Sequence, residues 1–304
     1  MEIRQCGKHG LAVSSLGLGT MTWGRDTDED QACAMLSAFV EAGGTLVEIS
    51  PLHGSGRALS VLARALDRVG RHRVVIVLRG AMRFAQGSNE VSATRGDMLR
   101  SLDTTLAILE TEYVDLWLAT SDTRGTDLEE TLSALSWAYS SGRVHYIGLS
   151  HRSIWDCALT WGHHDLAPLA AVEEEFSLVH PSPLLEHAQL QDFGFLAHSP
   201  LAGGVLTGKY RHTTPPDSRA ASSHLRHTVA PYLDRSNAIV EALSQAAQGL
   251  ESSISDIALA WVRDTPGVTS AIIGPRNVKQ LEQLLAGQLT LPAPIRTVLN
   301  ELSR

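Results

Sequence analysis

Several features that would narrow the function of this 304-residue chain are scarce or missing. It has three cysteines, Cys6, Cys33 and Cys157, scattered without metal-type spacing, so they read as reduced thiols and not as a disulfide framework. Basic residues are outnumbered, 25 Lys+Arg against 33 Asp+Glu, and a net charge of -8 gives no electrostatic reason to expect nucleic acid or an anionic membrane as partner. No apolar run reaches membrane-spanning length, and no signal-peptide apolar region is present, so a cytoplasmic location is expected. No Gly-x-Gly-x-x-Gly follows any strand-like run, which weakens a doubly wound dinucleotide-binding sheet.

What is present is rhythm. Hydrophobic residues make up 43% of the chain and charged residues 19%, the balance of a folded protein. Short apolar or β-branched runs recur at 14–21, 45–50, 74–79, 113–119, 146–150, 169–175, 194–199 and 269–274. Between them lie stretches with apolar residues three and four apart, such as Asp28 to Glu41, Arg57 to Val69, Ala93 to Glu110, Leu128 to Ser141 and Ser255 to Arg263. Eight strands alternating with helices predict right-handed βαβ units closing into a (β/α)8 TIM barrel, an α/β fold in one domain over residues 1–304. Residues 210–231 break the rhythm: rich in Pro, Ser, His and Arg, they predict a long loop between strands 7 and 8, a cofactor or substrate lid.

A barrel of this type keeps its site at the carboxyl ends of the strands. That rule selects Glu48 and His53, Arg79, Thr120, Ser150 and His151, Glu173 to Glu175, His198 and the stretch Ile273 to Arg276. Glu173 and Glu175 share one strand face and Glu174 takes the other. His163-His164 and the His212, His224, His227 group fall in connections and read as solvated. Trp23 and Trp117 are candidate substrate-pocket walls. A zinc site from the mouth histidines lacks any spacing signature, and no metal is expected.

Several long motifs carry a family resemblance. LGLGTMTWG (16–24), SGRVHYIGLS (141–150), SPLAGGVLTGKY (199–210), PPDSRA (215–220) and ALAWVRDTPGVTSAIIGPRN (258–277) resemble segments of aldo-keto reductases, nearest the bacterial branch related to potassium-channel β subunits. The resemblance implies NADP(H) as cofactor and carbonyl reduction through an Asp, Tyr, Lys, His tetrad. By position that tetrad falls on Glu48, His53, Arg79 and Thr120, and all four are substituted. Phosphate-holding positions match the pattern at Ser199, Pro200, Leu201, Gly203, Lys209, Arg219 and Arg276. Thr20, Met21, Gly274 and Gln280 fall on the cofactor site as well. The nicotinamide end departs from the pattern: its Ser-Asn pair is Ser150-His151, its Gln is Glu173, and its stacking aromatic is His198. The adenine end departs at Gln283 and Leu284.

A histidine titrates near neutrality without help, so His53 is the expected general acid, with Arg79 as a fixed cation and Glu48 as its orienting carboxylate. Three readings stay open: an atypical NADP(H)-dependent oxidoreductase acting on a small carbonyl compound, a non-redox acid/base enzyme (isomerase, dehydratase, cyclase or lyase), and an inactive nucleotide-sensing or binding protein. The partner expected in each is a small molecule.

Overall fold

The structure, a computed structural model, describes residues 1–85, 88–120, 125–163, 167–287 and 289–303. Eight parallel strands close into a barrel: β1 (Leu16–Gly19), β2 (Leu46–Ile49), β3 (Val75–Arg79), β4 (Val114–Thr120), β5 (Val144–Ser150), β6 (Leu169–Glu175), β7 (Gly194–His198) and β8 (Val268–Ile273). They pair in chain order around the ring, and β8 meets β1 through Ala271, Ile272 and Ile273 against Leu16, Gly17 and Leu18. All eight expected strand segments and the barrel they predict are present.

Helices wrap the barrel: α1 (Glu29–Glu41), α2 (Ala58–Val69), α3 (Arg95–Ile108), α4 (Leu128–Ser140), α5 (Ile154–Gly162), α6 (Leu184–Gln191), α7 (Ala230–Leu233), α8 (Asn237–Gly249), α9 (Ile254–Arg263), α10 (Val278–Ala286) and α11 (Ala293–Leu302). Their starts are written in the sequence. Asp28, Thr94, Asp127, Ser153 and Asn277 each accept a backbone N–H of the first turn, and Ser253 with Asp256 forms a reciprocal capping box.

Side-chain alternation sorts the strands into two layers. Leu46, Val77, Leu116, Leu118, Ala171, Leu196 and Ile272 fill the barrel interior, where Cys6, Leu11 and Val13 join them. Cys6, Leu11 and Val13 belong to an antiparallel hairpin (Ile3–Gln5 with Ala12–Ser14) that lies before the barrel begins. The alternate residues, among them Val47, Ile49, Ile76, Leu78 and Trp117, pack outward under the helices. A second hairpin, Met82–Ala85 with Ser88–Val91, follows β3 and was not anticipated.

The connection from β7 to β8 is longer than the expected loop and includes α7, α8 and α9. Within it, residues 210–231 reach across to the barrel mouth. Arg219 Nη2 donates to the Gly274 carbonyl at 3.2 Å, Arg276 donates to the Asp217 carbonyl, and His224 Nε2 lies 2.9 Å from Asp26 Oδ1 in the β1–α1 loop. His224 is thus half of a polar contact between two loops and not a freely solvated side chain. His163 and His212 are exposed, and His164 lies outside the described residues.

Candidate active site

Because Leu46, Val77, Leu116 and Leu118 point inward, the same alternation turns Glu48, Arg79 and Thr120 inward at the ends of β2, β3 and β4. Ser150, Glu173 and His198 complete the ring from β5, β6 and β7. His53 enters from a turn after β2. That turn depends on Gly54, whose φ is 58° and where an added Cβ would lie 1.7 Å from the Trp23 carbonyl oxygen.

One guanidinium serves two buried carboxyl groups. Arg79 Nε lies 3.3 Å from Glu173 Oε1, and Arg79 Nη1 lies 3.7 Å from Glu48 Oε1. Glu173 also accepts the Ser150 hydroxyl at 3.0 Å, while Glu48 Oε1 has no hydrogen-bond partner among the described residues. Both carboxyls are removed from solvent, Glu48 at 2% exposure and Glu173 at 0%. Two ionised carboxylates beside one cation would leave an uncompensated buried charge. Glu48 resolves this by keeping its proton: burial, then the charge of Glu173, push its pKa up to about 8, against the opposing pull of Arg79. Burial works against the Arg79 guanidinium, yet Glu173 and Glu48 outweigh it and hold the cation in place.

This arrangement corrects the expectation for His53. Burial, reinforced by Arg79, pushes its pKa down to about 3, so the ring is neutral at physiological pH and is no proton donor to a substrate. The Thr20 hydroxyl lies 3.0 Å from the Glu48 carbonyl and 2.9 Å from His53 Nδ1, which ties the ring to the end of β2. His53 Nε2 lies 3.7 Å from Glu48 Oε1. Of the two groups, the carboxyl is the one that holds a titratable proton at neutral pH.

A cavity of 510 Å³ opens at this mouth. Its wall includes Met21, Glu48, His151, Glu175, His198 and Tyr232, together with Ser199, Pro200, Leu201, Gly203, Lys209, Arg219, Gly274, Arg276, Gln280, Gln283 and Leu284. His53, Arg79, Thr120, Thr20, Ser150 and Glu173 are not part of that wall. Thr120 sits at 6% exposure, with its carbonyl taken by Arg152 at 3.1 Å. Ser150 and Glu173, expected to touch a cofactor, instead bond each other.

Trp23 and Trp117 need correction as pocket walls. Both are fully buried, at 0% exposure, in the core between barrel and helices, and neither lines the cavity. Trp117 alternates with Leu116 and Leu118, so it faces away from the barrel interior, and its indole packs against Gly80.

The remaining polar groups make a distinct wall. His198 Nδ1 pairs with Ser199 Oγ at 3.1 Å, and burial, followed by the Arg79 charge, holds the ring well below the usual imidazole pKa. His151 meets His198 edge-on at 5.5 Å, and its Nδ1 lies 3.4 Å from Glu174 Oε1. His151 and Ser199 adopt left-handed backbone, at φ 49° and 53°, the strained kind of turn that clusters at ligand sites. Glu175 and Tyr232, which sequence reasoning did not single out as a pair, meet here: the phenol donates to Glu175 Oε1. Among the described residues, no group of three or more His, Cys, Asp or Glu could hold a metal ion.

Elsewhere on the same wall, Lys209, Arg219 and Arg276 come together. Burial and the neighbouring Arg276 and Arg219 charges push Lys209 down to about 8, and burial with Arg276 lowers Arg219. Three crowded cations of this kind are stabilised by a bound anion. The backbone beside them is left-handed at Ala202, Gly203 and Gly204, and at Gly204 an added Cβ would come within 2.8 Å of Lys209 Nζ. This corner suits phosphate groups.

Comparison with known proteins follows the same line. A probable voltage-gated potassium channel subunit beta of Oryza sativa subsp. japonica is 28% identical over 303 residues, covering 96% of this chain and 92% of that protein. A protein of the same description from Arabidopsis thaliana is 26% identical over 315 residues, covering all of this chain and 96% of its own length. The sequence model of the aldo/keto reductase family matches residues 15–292, and this chain belongs to that family.

Proposed function

We propose that the protein is an NADP(H)-binding oxidoreductase for a small carbonyl compound in which Glu48 delivers the proton. One observation carries the reading: a single cavity wall holds the Lys209, Arg219 and Arg276 cations and also the Glu48 carboxyl. The family generally uses NADP(H), and when bound it supplies hydride. Lys209, Arg219 and Arg276 would hold its phosphates, with the backbone turn at Ser199 to Gly204 alongside.

The chain's own residues account for the proton. Glu48 holds it at neutral pH and can donate it to a carbonyl oxygen in the cavity. Arg79, 3.7 Å away, then stabilises the carboxylate that forms. The Thr20 hydroxyl and neutral His53 fix the local backbone and ring, so His53 is a positioning residue in this scheme. A second reading, non-redox proton transfer, draws on four titratable groups in one wall, Glu48, His151, Glu175 and His198.

Calorimetric titration of the protein with NADPH, NADP+ and NADH decides between them. The expected result is binding that favours the 2′-phosphate forms and is weakened at least tenfold by Arg276→Ala. Absence of binding would reject the oxidoreductase reading and leave proton chemistry at Glu48.

A further inference from the structure

We propose that the outer face of α5 is the contact through which two copies of this chain pair about a two-fold axis. The face points away from the barrel, so the statement depends on neither reading of the cavity.

A helix on the outside of a barrel ordinarily turns apolar residues inward and polar ones to water. Outward, α5 does the opposite. Its buried residues are Cys157 and Thr160, and the opposite stripe, Trp155, Ala158, Leu159 and Gly162, is exposed and carries no charged side chain. Trp155 is 70% exposed, and Trp161 on one flank is 42% exposed. The neighbouring helix α4 adds Trp137 and Tyr139 in its last turn, at the same end of the barrel as Trp161, each more than a third exposed. With Leu159, these five large side chains leave roughly 500 Å² of mostly apolar surface in water. A standard interface takes about 800 Å² from each partner, about 60% of it apolar. The two amounts match.

The pattern itself specifies a second copy as the occupant. An isologous contact uses one patch twice, so the patch must fit itself. Along α5 the stripe alternates large and small residues: Trp155, Ala158, Leu159, Gly162. Two α5 helices laid antiparallel, with the axis between residues 158 and 159, set Trp155 over Gly162 of the partner subunit and Leu159 over Ala158 of the partner subunit. Gly162 leaves room for the indole, since an added Cβ there would meet nothing within 4 Å. Charge agrees with this pairing. Asp156 and His163, seven residues apart, share the flank opposite Trp161, so each Asp156 comes beside His163 of the partner subunit. At -8 per chain, two copies repel through most other faces, and an anionic membrane is disfavoured as occupant.

Sedimentation velocity on the whole chain between about 1 and about 50 µM should show a species of twice the chain mass. Trp155→Glu should raise its dissociation constant at least about a hundredfold, because a two-fold contact counts each substitution twice. Gly162→Gln should raise it at least about tenfold by filling the space that the indole needs. Both positions face water in the single chain, so melting curves by circular dichroism should move by no more than about 2 °C. A monomer throughout that range, a ring of more than two copies, or a dimer whose dissociation constant either variant leaves unchanged would overturn the proposal. So would a monomer that floats with neutral lipid vesicles and loses this in Trp155→Glu, which would give the face to a membrane.

Discussion

Replacing Arg79 with methionine isolates the charge balance on which the site depends. Arg79 lies within 3.7 Å of both Glu48 and Glu173, two carboxyls almost wholly removed from solvent. Methionine fills much of the volume but leaves no cation. Breaking a buried ion pair by removing one partner costs about 3–5 kcal/mol. At about 2 °C per kcal/mol for a chain of this size, the melting temperature should fall by about 6–10 °C. The loss should depend on pH, and its sign is fixed. In the variant, a carboxyl left buried without its cation has a folded-state pKa raised above the unfolded value of about 4.3. A raised folded pKa contributes stability that is full below the unfolded value and is lost as pH climbs through the folded one. The deficit of the variant should therefore be small at pH 5 and large at pH 8. Thermal unfolding followed by circular dichroism at both pH values measures it, and adding Glu173→Gln to the variant should recover most of the loss at pH 8. A deficit under about 2 °C at pH 8, or one equal at the two pH values, would refute the argument that Arg79 neutralises a buried carboxylate.

Other outcomes follow from the same geometry. Carbonyl reduction should decline as pH rises through about 8, where Glu48 loses its proton, and Glu48→Gln should cost about 10²–10⁴ in turnover at neutral pH while the melting curve stays within a few degrees; stopped-assay rates across pH 6–9 check both. His53 acts on stability in the opposite sense to Glu48. Its folded pKa is lowered to about 3, so it contributes stability above about 6.5 that is lost as pH falls toward 3, and His53→Gln should flatten the acid limb of a melting-temperature profile. Trp117→Ala should destabilise the fold by about 3–5 kcal/mol through the cavity it leaves and spare NADPH affinity, as calorimetry would report. Gly54→Ala should yield little soluble protein, since the new methyl would overlap the Trp23 carbonyl.

The barrel was legible because its signals are local. Runs such as Val75–Arg79 and Leu169–Glu175, separated by capped helices, carry the alternation in a single stretch of chain. Trp117 was legible too, once parity is followed: it stands an odd number of residues from Thr120, so both cannot face the barrel interior. The hairpin of Met82–Ala85 with Ser88–Val91 was missed because the alternation of Met82 and Phe84 is too short to read as a strand and SNEV carries none. The state of His53 could not be read at all. Its ordinary pKa suggests an acid, and only the loss of water around the ring, reinforced by Arg79, lowers it. The meeting of Glu175 with Tyr232, 57 positions apart, is likewise a product of folding.

The hairpin before β1 lends Cys6, Leu11 and Val13 to the barrel interior, and these fill it from the end opposite the strand C-termini. The vessel is consequently blind at one end, and every molecule that enters must leave by the door it came in. For two occupants this imposes a queue. Whichever sits deeper has to arrive first and depart last, so steady-state kinetics should show compulsory order, with the deeper occupant's product inhibiting competitively against its own counterpart alone. Residues 210–231 touch that mouth at Gly274, Arg276 and Asp26.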